Sequence, residues 1–218
     1  MNTNLTDYYA LRAENYDLIY DIPARQTELD GIARQLSDIM EQQRVLEIAC
    51  GTGYWTERYA MAAQSILATD ISEPMLVKAR NKVYPLNKVQ FQQADAFALP
   101  AGQYDAVVAG FFWAHIKRSQ QALFLDNLQK LCGSGTQFVM FDNCYVEGSI
   151  LDGRSSPIAR TDSEGNTYQI RRLSDDSRHE VLKNYPTDST LRKKLANHAR
   201  DIRVVRGTYY WMLTCVLR

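Results

Sequence analysis

Val45-Leu46-Glu47-Ile48-Ala49-Cys50-Gly51-Thr52-Gly53-Tyr54-Trp55 runs from an apolar strand through a glycine turn into a helix. Gly51 and Gly53 let the backbone turn tightly and let a ligand approach without meeting a Cβ. Open α/β sheets bind ligands beyond the carboxyl ends of central strands, where strand order switches, and this turn occupies such an end. Upstream, Leu29, Ile32, Leu36 and Ile39 recur at three- and four-residue steps, which predicts a helix with one buried stripe, ended by Glu41-Gln42-Gln43. Arg44 to Ala49 is a predicted strand, residues 55–63 a helix, Ser65 to Thr69 a short buried strand, and Ser72 the N-cap of a helix carrying Pro74 in its first turn. Strands at Val89 to Gln92 and Tyr104 to Ala109, a helix near Ser119 to Leu131 and a strand at Thr136 to Phe141 follow. Strands separated by helices imply parallel crossovers and a doubly wound sheet.

Beyond Asp142 the rhythm changes. Gly148, Gly153, Pro157 and Gly165-Asn166 break the pattern, and two strands, Tyr168 to Arg172 and Arg178 to Lys183, flank Ser174-Asp175-Asp176-Ser177. Residues 143–185 are therefore predicted as an inserted loop and hairpin. Thr187 is positioned to cap a helix running to about His198, and Ile202 to Val205 and Tyr209 to Leu217 form an antiparallel pair around Gly207-Thr208.

A chain of 218 residues, 45% apolar, suits one large α/β domain spanning residues 1–218. Lysine plus arginine equals aspartate plus glutamate at 25 each, which argues against a basic nucleic-acid coat. The balance hides an asymmetry: residues 1–150 carry 17 acids and 12 bases, the remainder 8 acids and 13 bases. The longest apolar run, Ala106 to Ala114, has nine residues, whereas a membrane helix needs about 20. With no signal-peptide pattern at Met1-Asn2-Thr3-Asn4, a cytoplasmic address is the default expectation. Cys50, Cys132, Cys144 and Cys215 are far apart and predicted to be reduced, packed thiols; no metal site is suggested.

Asp70 lies seventeen residues after Gly53, at the end of the next strand, where a carboxylate can accept both hydroxyl protons of a ribose. Ala94-Asp95-Ala96-Phe97 follows the third strand, where Asp95 can accept from an exocyclic adenine amine while Ile71 and Met75 supply apolar contacts to the ring. With these elements in order, the sequence resembles the class I S-adenosylmethionine-dependent methyltransferases, specifically small ones acting on small molecules. The resemblance covers about residues 8–141 through motifs and extends by topology to the C-terminus. It implies a Rossmann-like, doubly wound seven-stranded sheet whose last strand is antiparallel, with an N-terminal helical lid over residues 1–40. It also implies that Glu47, Gly51 and Gly53 hold the methionine part of S-adenosylmethionine, Asp70 the ribose, and Asp95 with Ala96 the adenine.

A nicotinamide-dependent oxidoreductase is the natural competitor, but its third glycine falls at Thr56, and Glu47 would face a pyrophosphate unfavourably. A non-catalytic cofactor-binding module is the other alternative. Four tyrosines crowd Tyr8 to Tyr20; by resemblance Tyr9 and Tyr16 lie over the cofactor and Tyr8 toward the acceptor, in a lid that excludes water. After the fourth strand, Gly110-Phe111-Phe112-Trp113-Ala114-His115-Ile116 occupies the place where family members contact the methionine end and the acceptor. Gly110 is assigned to the cofactor, Phe112 and Trp113 to an aromatic wall, and His115 to proton abstraction or positioning. Asp142 and Asn143 join the acceptor set.

No Asn/Asp-Pro-Pro-Tyr/Phe tetrapeptide follows that strand, which argues against a nucleic-acid amino-methyltransferase. The expected reaction is methyl transfer to an oxygen or nitrogen of a small molecule, releasing S-adenosylhomocysteine, with a protein or peptide acceptor as the alternative. Arg160, Arg171, Arg172, Arg178 and Lys183 would suit a carboxylate or phosphate on the acceptor. Either a monomer or a homodimer is compatible with the sequence.

Overall fold

Val45, Leu46 and Ile48 are all buried, as expected of a strand covered on both faces. They belong to β1 (Arg44–Ile48), the hub of the sheet. The structure, a computed structural model, describes residues 5–148, 150–151, 154–155, 157–173 and 175–218. Helix α1 (Leu5–Arg12) and a 3-10 stretch (Ala13–Tyr20) lead into α2 (Gln26–Ile39). After β1 come α3 (Tyr54–Tyr59), β2 (Ser65–Asp70), α4 (Glu73–Arg80), β3 (Val89–Gln93), β4 (Ala106–Gly110), α5 (Gln121–Cys132) and β5 (Gln137–Asn143). The remaining elements are the short strands β6 (Ile150–Leu151) and β7 (Arg154–Ser155), then β8 (Ile158–Thr161), β9 (Thr167–Arg172), β10 (Arg178–Leu182), α6 (Asp188–Leu195), β11 (Ala199–Arg206) and β12 (Tyr210–Leu217).

The main sheet has seven strands in the order β11-β12-β5-β4-β1-β2-β3. Strands β1 to β5 pair in parallel, and β12 runs antiparallel to both β5 and β11. The doubly wound sheet with an antiparallel last strand is thus observed. Period-two alternation sorts its side chains into two cores. Val45, Val108, Val139 and Phe141 face α2, α3 and α4. Leu46, Val107, Phe138 and Met140 face α5 and α6. Helix α2 buries Leu29, Ile32 and Leu36 in the first of these cores, and among the described residues it is the segment ahead of it, from Leu5 to Tyr20, that reaches the site.

Several predicted boundaries shift for local reasons. Helix α3 ends at Tyr59, because Gln42 N–H bonds to Ala62 O and Gln64 N–H to Gln43 O, drawing the chain back beside the start of β1. Thr187 caps α6 as predicted, accepting from Thr190 N–H. The predicted hairpin becomes a three-stranded sheet, β10-β9-β8. Gly165-Asn166, read as a break, is a tight turn in which Asp162 accepts from the backbone N–H groups of Glu164 and Asn166. Ser174 lies outside the described residues.

The inserted sheet is fastened to the loop after β4. Asn184 N–H bonds to Ala114 O, its side chain donates to Ile116 O, and Asn166 Oδ1 accepts from Arg118 N–H. All four cysteines are free thiols, Cys50 and Cys215 buried. Among the described residues no helix is long and apolar enough to cross a membrane, and no cluster of three or more metal-ligating side chains occurs.

Candidate active site

With β2 on one side of β1 and β4 on the other, the chain leaves the sheet in opposite directions at this point, opening a crevice above the strand ends. Two non-glycine residues there hold left-handed backbone, Ala49 at φ 54° after β1 and Phe111 at φ 55° after β4. Such conformations cost about 1–3 kcal/mol each and persist where surrounding structure enforces them. Gly53 caps α3 at φ 74°, and a Cβ there would stand 2.3 Å from the Tyr84 hydroxyl. Gly110 is required by packing, since its Cβ would fall 2.4 Å from the Phe141 ring.

The crevice is a cavity of about 770 Å³. Its floor comes from Glu47, Gly51, Asp70, Ile71 and Gly110, all predicted cofactor residues. Its roof comes from Tyr9 and Tyr16, also predicted, joined by Tyr20. Phe112 and His115 close one side. No lysine or arginine is among the described residues that line it. The N-terminal segment is tied to the glycine turn by Asp17, which accepts from Thr52 Oγ1 at 2.5 Å and pairs with Lys82 at 2.7 Å.

Glu47 is buried, and Oε2 accepts the hydroxyls of Thr56 and Tyr59, each at 2.7 Å. Burial pushes its carboxyl up to about 7, with those two hydrogen bonds opposing the rise. Asp70 accepts from Gly51 N–H through Oδ2 and from Ser72 N–H through Oδ1, both at 2.8 Å. Burial raises its pKa, while these backbone donors pull the other way. Ser72 occupies the N-cap position of α4, yet its hydroxyl makes no capping bond; Oγ is buried with no partner among the described residues, beside Asp70 in the cavity wall.

A second chamber of about 520 Å³ adjoins the first and shares Tyr9, Tyr16, Tyr20, Phe111 and His115 with it. Tyr8 and Asn143, predicted acceptor residues, line this chamber, together with Arg12, Arg171 and Lys183. At the shared wall, His115 Nδ1 lies 2.7 Å from Leu182 O and Nε2 lies 2.8 Å from the Tyr9 hydroxyl. For a neutral ring one arrangement satisfies both: Nδ1–H donates to the carbonyl and Nε2 accepts from the phenol. Burial, reinforced by the Lys183 charge, pulls the His115 pKa down to about 3. The ring is therefore neutral, and its basic nitrogen already holds a proton donor.

The remaining predicted residues lie elsewhere. Trp113 is 1% exposed and packs against Phe124 in the second core, not in an aromatic wall. Met75 is 2% exposed on α4 and does not line the cavity. Asp95 is exposed and caps its own turn, accepting from Phe97 N–H at 2.9 Å, while Ala96 packs on the second core. Asp142 is fully buried in an ion pair with Lys183 at 2.7 Å. Among residues the sequence reading passed over, Tyr20 sits four positions after Tyr16 in the same tyrosine-rich run, a spacing that marks it as a neighbour. Phe111, Trp55 and Arg12 carried no comparable signal.

The family model for a methyltransferase domain matches residues 45–144, from the first residues of β1 to just past β5. An uncharacterised methyltransferase of Geobacillus thermodenitrificans is 22% identical over 222 residues, 99% of this chain and 98% of its own length. The family match, the relatives and the fold together support a class I S-adenosylmethionine-dependent methyltransferase. The methyltransferase is also 30% identical over 156 residues to a ubiquinone/menaquinone biosynthesis C-methyltransferase of Teredinibacter turnerae, covering 64% of this chain and 59% of that one. Among solved structures, the DhpI–SAH complex superposes with a TM-score of 0.76 at 24% identity, covering 96% of this chain and 93% of that one. This last likeness is one of fold.

Proposed function

We propose that this methyltransferase carries a methyl group from S-adenosylmethionine in the larger chamber to an oxygen or nitrogen of a small molecule in the smaller one. The observation that carries the reading is the shared wall of Tyr9, Tyr16, Tyr20, Phe111 and His115, across which the two chambers meet. The cofactor suits the residues present. Glu47 is a buried carboxylate with no cation near it in the cavity lining, as a methionine ammonium requires, and Asp70 and the unpartnered Ser72 hydroxyl offer polar atoms to ribose. When bound, S-adenosylmethionine supplies a methyl on a sulfonium, whose C–S bond breaks as an acceptor lone pair bonds to carbon, leaving S-adenosylhomocysteine and one proton.

The protein's contribution is alignment and exclusion of water, effects that supply about 7–11 kcal/mol in well-oriented reactions. Tyrosines from α1 and the following 3-10 stretch cover the meeting point, and their ring edges and faces suit a cationic centre. His115 Nε2 is already engaged with the Tyr9 hydroxyl, so this ring is not a free base for a carbon-bound proton. Oxygen and nitrogen carry their own lone pairs. The C-methyltransferase relative shares 59% of its length with this chain and does not decide the acceptor.

Two results test this reading. His115 holds Tyr9 in place, so His115→Ala is expected to lower turnover less than about tenfold and to leave the pH–rate profile between about 5 and 8 unchanged in shape. A loss of roughly 10² to 10⁴-fold with a vanished limb is the behaviour of a general base and overturns the positioning role. Glu47 gives a second result through its pKa of about 7. A raised carboxyl is protonated below that value, and an ammonium binds only the ionised form. S-adenosylhomocysteine affinity should therefore fall about fivefold between pH 7 and pH 6, with proton release on binding. Glu47→Gln should bind weakly at both values; a wild-type affinity independent of pH in calorimetry would sink the assignment of Glu47 to the ammonium.

A further inference from the structure

The two chambers are opposite in charge. The larger holds Glu47 and Asp70 with no basic side chain among the residues that line it. The smaller holds Arg12, Arg171 and Lys183 with no aspartate or glutamate among the described residues that line it. Lys183 is neutralised from behind by Asp142 at 2.7 Å. Arg171 is not: its Nη2 donates to the uncharged Gln169 Oε1 at 2.8 Å, and no described carboxylate pairs with it. The contrast within the inserted sheet is direct, because Arg160 on β8 is held by both oxygens of Glu180 at 3.0 and 2.8 Å. Alternation along β9 turns Arg171 inward and leaves Arg172 exposed.

Arg171 also borders a further hollow of about 440 Å³, and it, Asn143 and Lys183 line both spaces. That hollow adds Arg25, which stacks over Tyr209 at 5.0 Å, and again no acidic lining residue. Arg171 shares the smaller chamber with Tyr9 and His115, the two side chains at the wall between donor and acceptor. Arg12 reaches the same chamber from α1, over the ring of Tyr16 at 5.5 Å. A cation left with only a neutral partner in an enclosed, tyrosine-lined space is built for an anion that is absent from the chain itself.

We infer that the acceptor is a small molecule bearing an oxyanion group, which docks on Arg171 with Arg12 beside it and leaves its oxygen or nitrogen nucleophile at the Tyr9–His115 wall. This rests on the methyltransferase reading and names its acceptor class. An acidic donor chamber next to a basic acceptor chamber matches a cationic cofactor to an anionic partner, and the attraction between the two ligands favours their joint occupancy. The shared chemistry is a planar or tetrahedral oxyanion, a carboxylate or a phosphoryl group.

Calorimetry on the S-adenosylhomocysteine-loaded protein tests this with inorganic phosphate and acetate as probes. Wild type should bind at least one of them, and the preferred probe distinguishes phosphoryl from carboxylate recognition. Arg171→Ala should weaken that binding about tenfold or more, as expected for loss of a charge-assisted pair. Arg171→Lys should recover part of it, and Arg172→Ala should match wild type, all with unchanged S-adenosylhomocysteine affinity. Binding of neither probe, or equal binding by wild type and Arg171→Ala, overturns the anionic acceptor while leaving the methyltransferase reading intact. Failure to bind S-adenosylhomocysteine at all removes both.

Discussion

Lys183→Met is expected to destabilise the fold by about 3–5 kcal/mol, because it leaves a buried carboxylate without its counter-charge. The Asp142 and Lys183 side chains are 0% and 7% exposed and meet at 2.7 Å. Asp142 otherwise accepts from neutral donors, Asn143 N–H and Nδ2 through Oδ1 and Ala114 N–H through Oδ2. Those donors satisfy its oxygens but carry no full charge. For a chain of this size the loss corresponds to roughly 6–20 °C in Tm.

The pH dependence gives a sharper test. In the wild type the ammonium of Lys183 holds the Asp142 carboxyl below its usual range against the effect of burial. Its stabilising contribution is therefore present above the unfolded carboxylate pKa of about 3.9 and is lost as pH falls through the lower folded value. In Lys183→Met burial acts against neutral donors alone, so the folded pKa should rise above the unfolded one. That variant should gain stability as pH falls from about 7 to 5, a slope the wild-type pair does not produce. Asp142→Asn combined with Lys183→Met should recover much of the loss, since a neutral pair of similar shape avoids the unpaired charge. Urea melts across this range decide the matter; a single variant within about 1 kcal/mol of wild type would show that water reaches Asp142.

The pair also ties the insertion to the wall of the smaller chamber. Lys183 follows β10 directly, Leu182 O receives His115 Nδ1–H, and Asp142 Oδ2 receives the N–H of Ala114 beside it. Losing the ion pair should loosen His115 as well as the sheet edge.

The glycine turn, Glu47 and Asp70 were legible because each signal is local: an apolar strand, a turn, a helix and an acid at the next strand end. Tyr8, Tyr9 and Tyr16 were legible only through the family resemblance, since nothing in the tyrosine spacing says which cavity a ring will roof. Phe112 and Trp113 both pack on Phe124 of α5, but of the two Phe112 alone also lines the cavity. Sequence adjacency does not resolve that turn. Asp95 stands outside the cavity lining and accepts Phe97 N–H through Oδ1, a turn bond that leaves its other acceptor sites open. Asp142 and Lys183 are 41 residues apart, and each alone read as a site or surface residue, so their partnership was invisible. Charge segregation between the chambers was hidden for the same reason, although the acid-rich first part and base-rich second part already carried it in outline.

Asp70→Ala is expected to weaken S-adenosylhomocysteine binding by about tenfold to a hundredfold or more, the equivalent of roughly 1.5–3 kcal/mol for lost hydrogen bonds to a charged acceptor. Two losses combine at this one residue. A carboxylate has about four lone-pair sites, and the fold uses one on each oxygen, for Gly51 N–H and Ser72 N–H at 2.8 Å. The other sites remain for ribose hydroxyls. Removing the carboxylate therefore deprives the ligand of its acceptor and also frees the glycine turn, whose left-handed backbone at Gly51, φ 57°, is anchored from β2 by that bond. Asp70→Asn separates the two effects, because its amide keeps one acceptor oxygen but turns a donor toward a backbone N–H. It should lose affinity nearly as far as Ala while its nearest donor group, Gly51 or Ser72, moves away, a change visible in amide hydrogen exchange of the turn. Wild-type-like affinity in either variant removes Asp70 from the cofactor site and leaves it as a turn anchor alone. Unfolding of Asp70→Ala would leave the question to Asp70→Asn, measured at a temperature where its melt shows it folded.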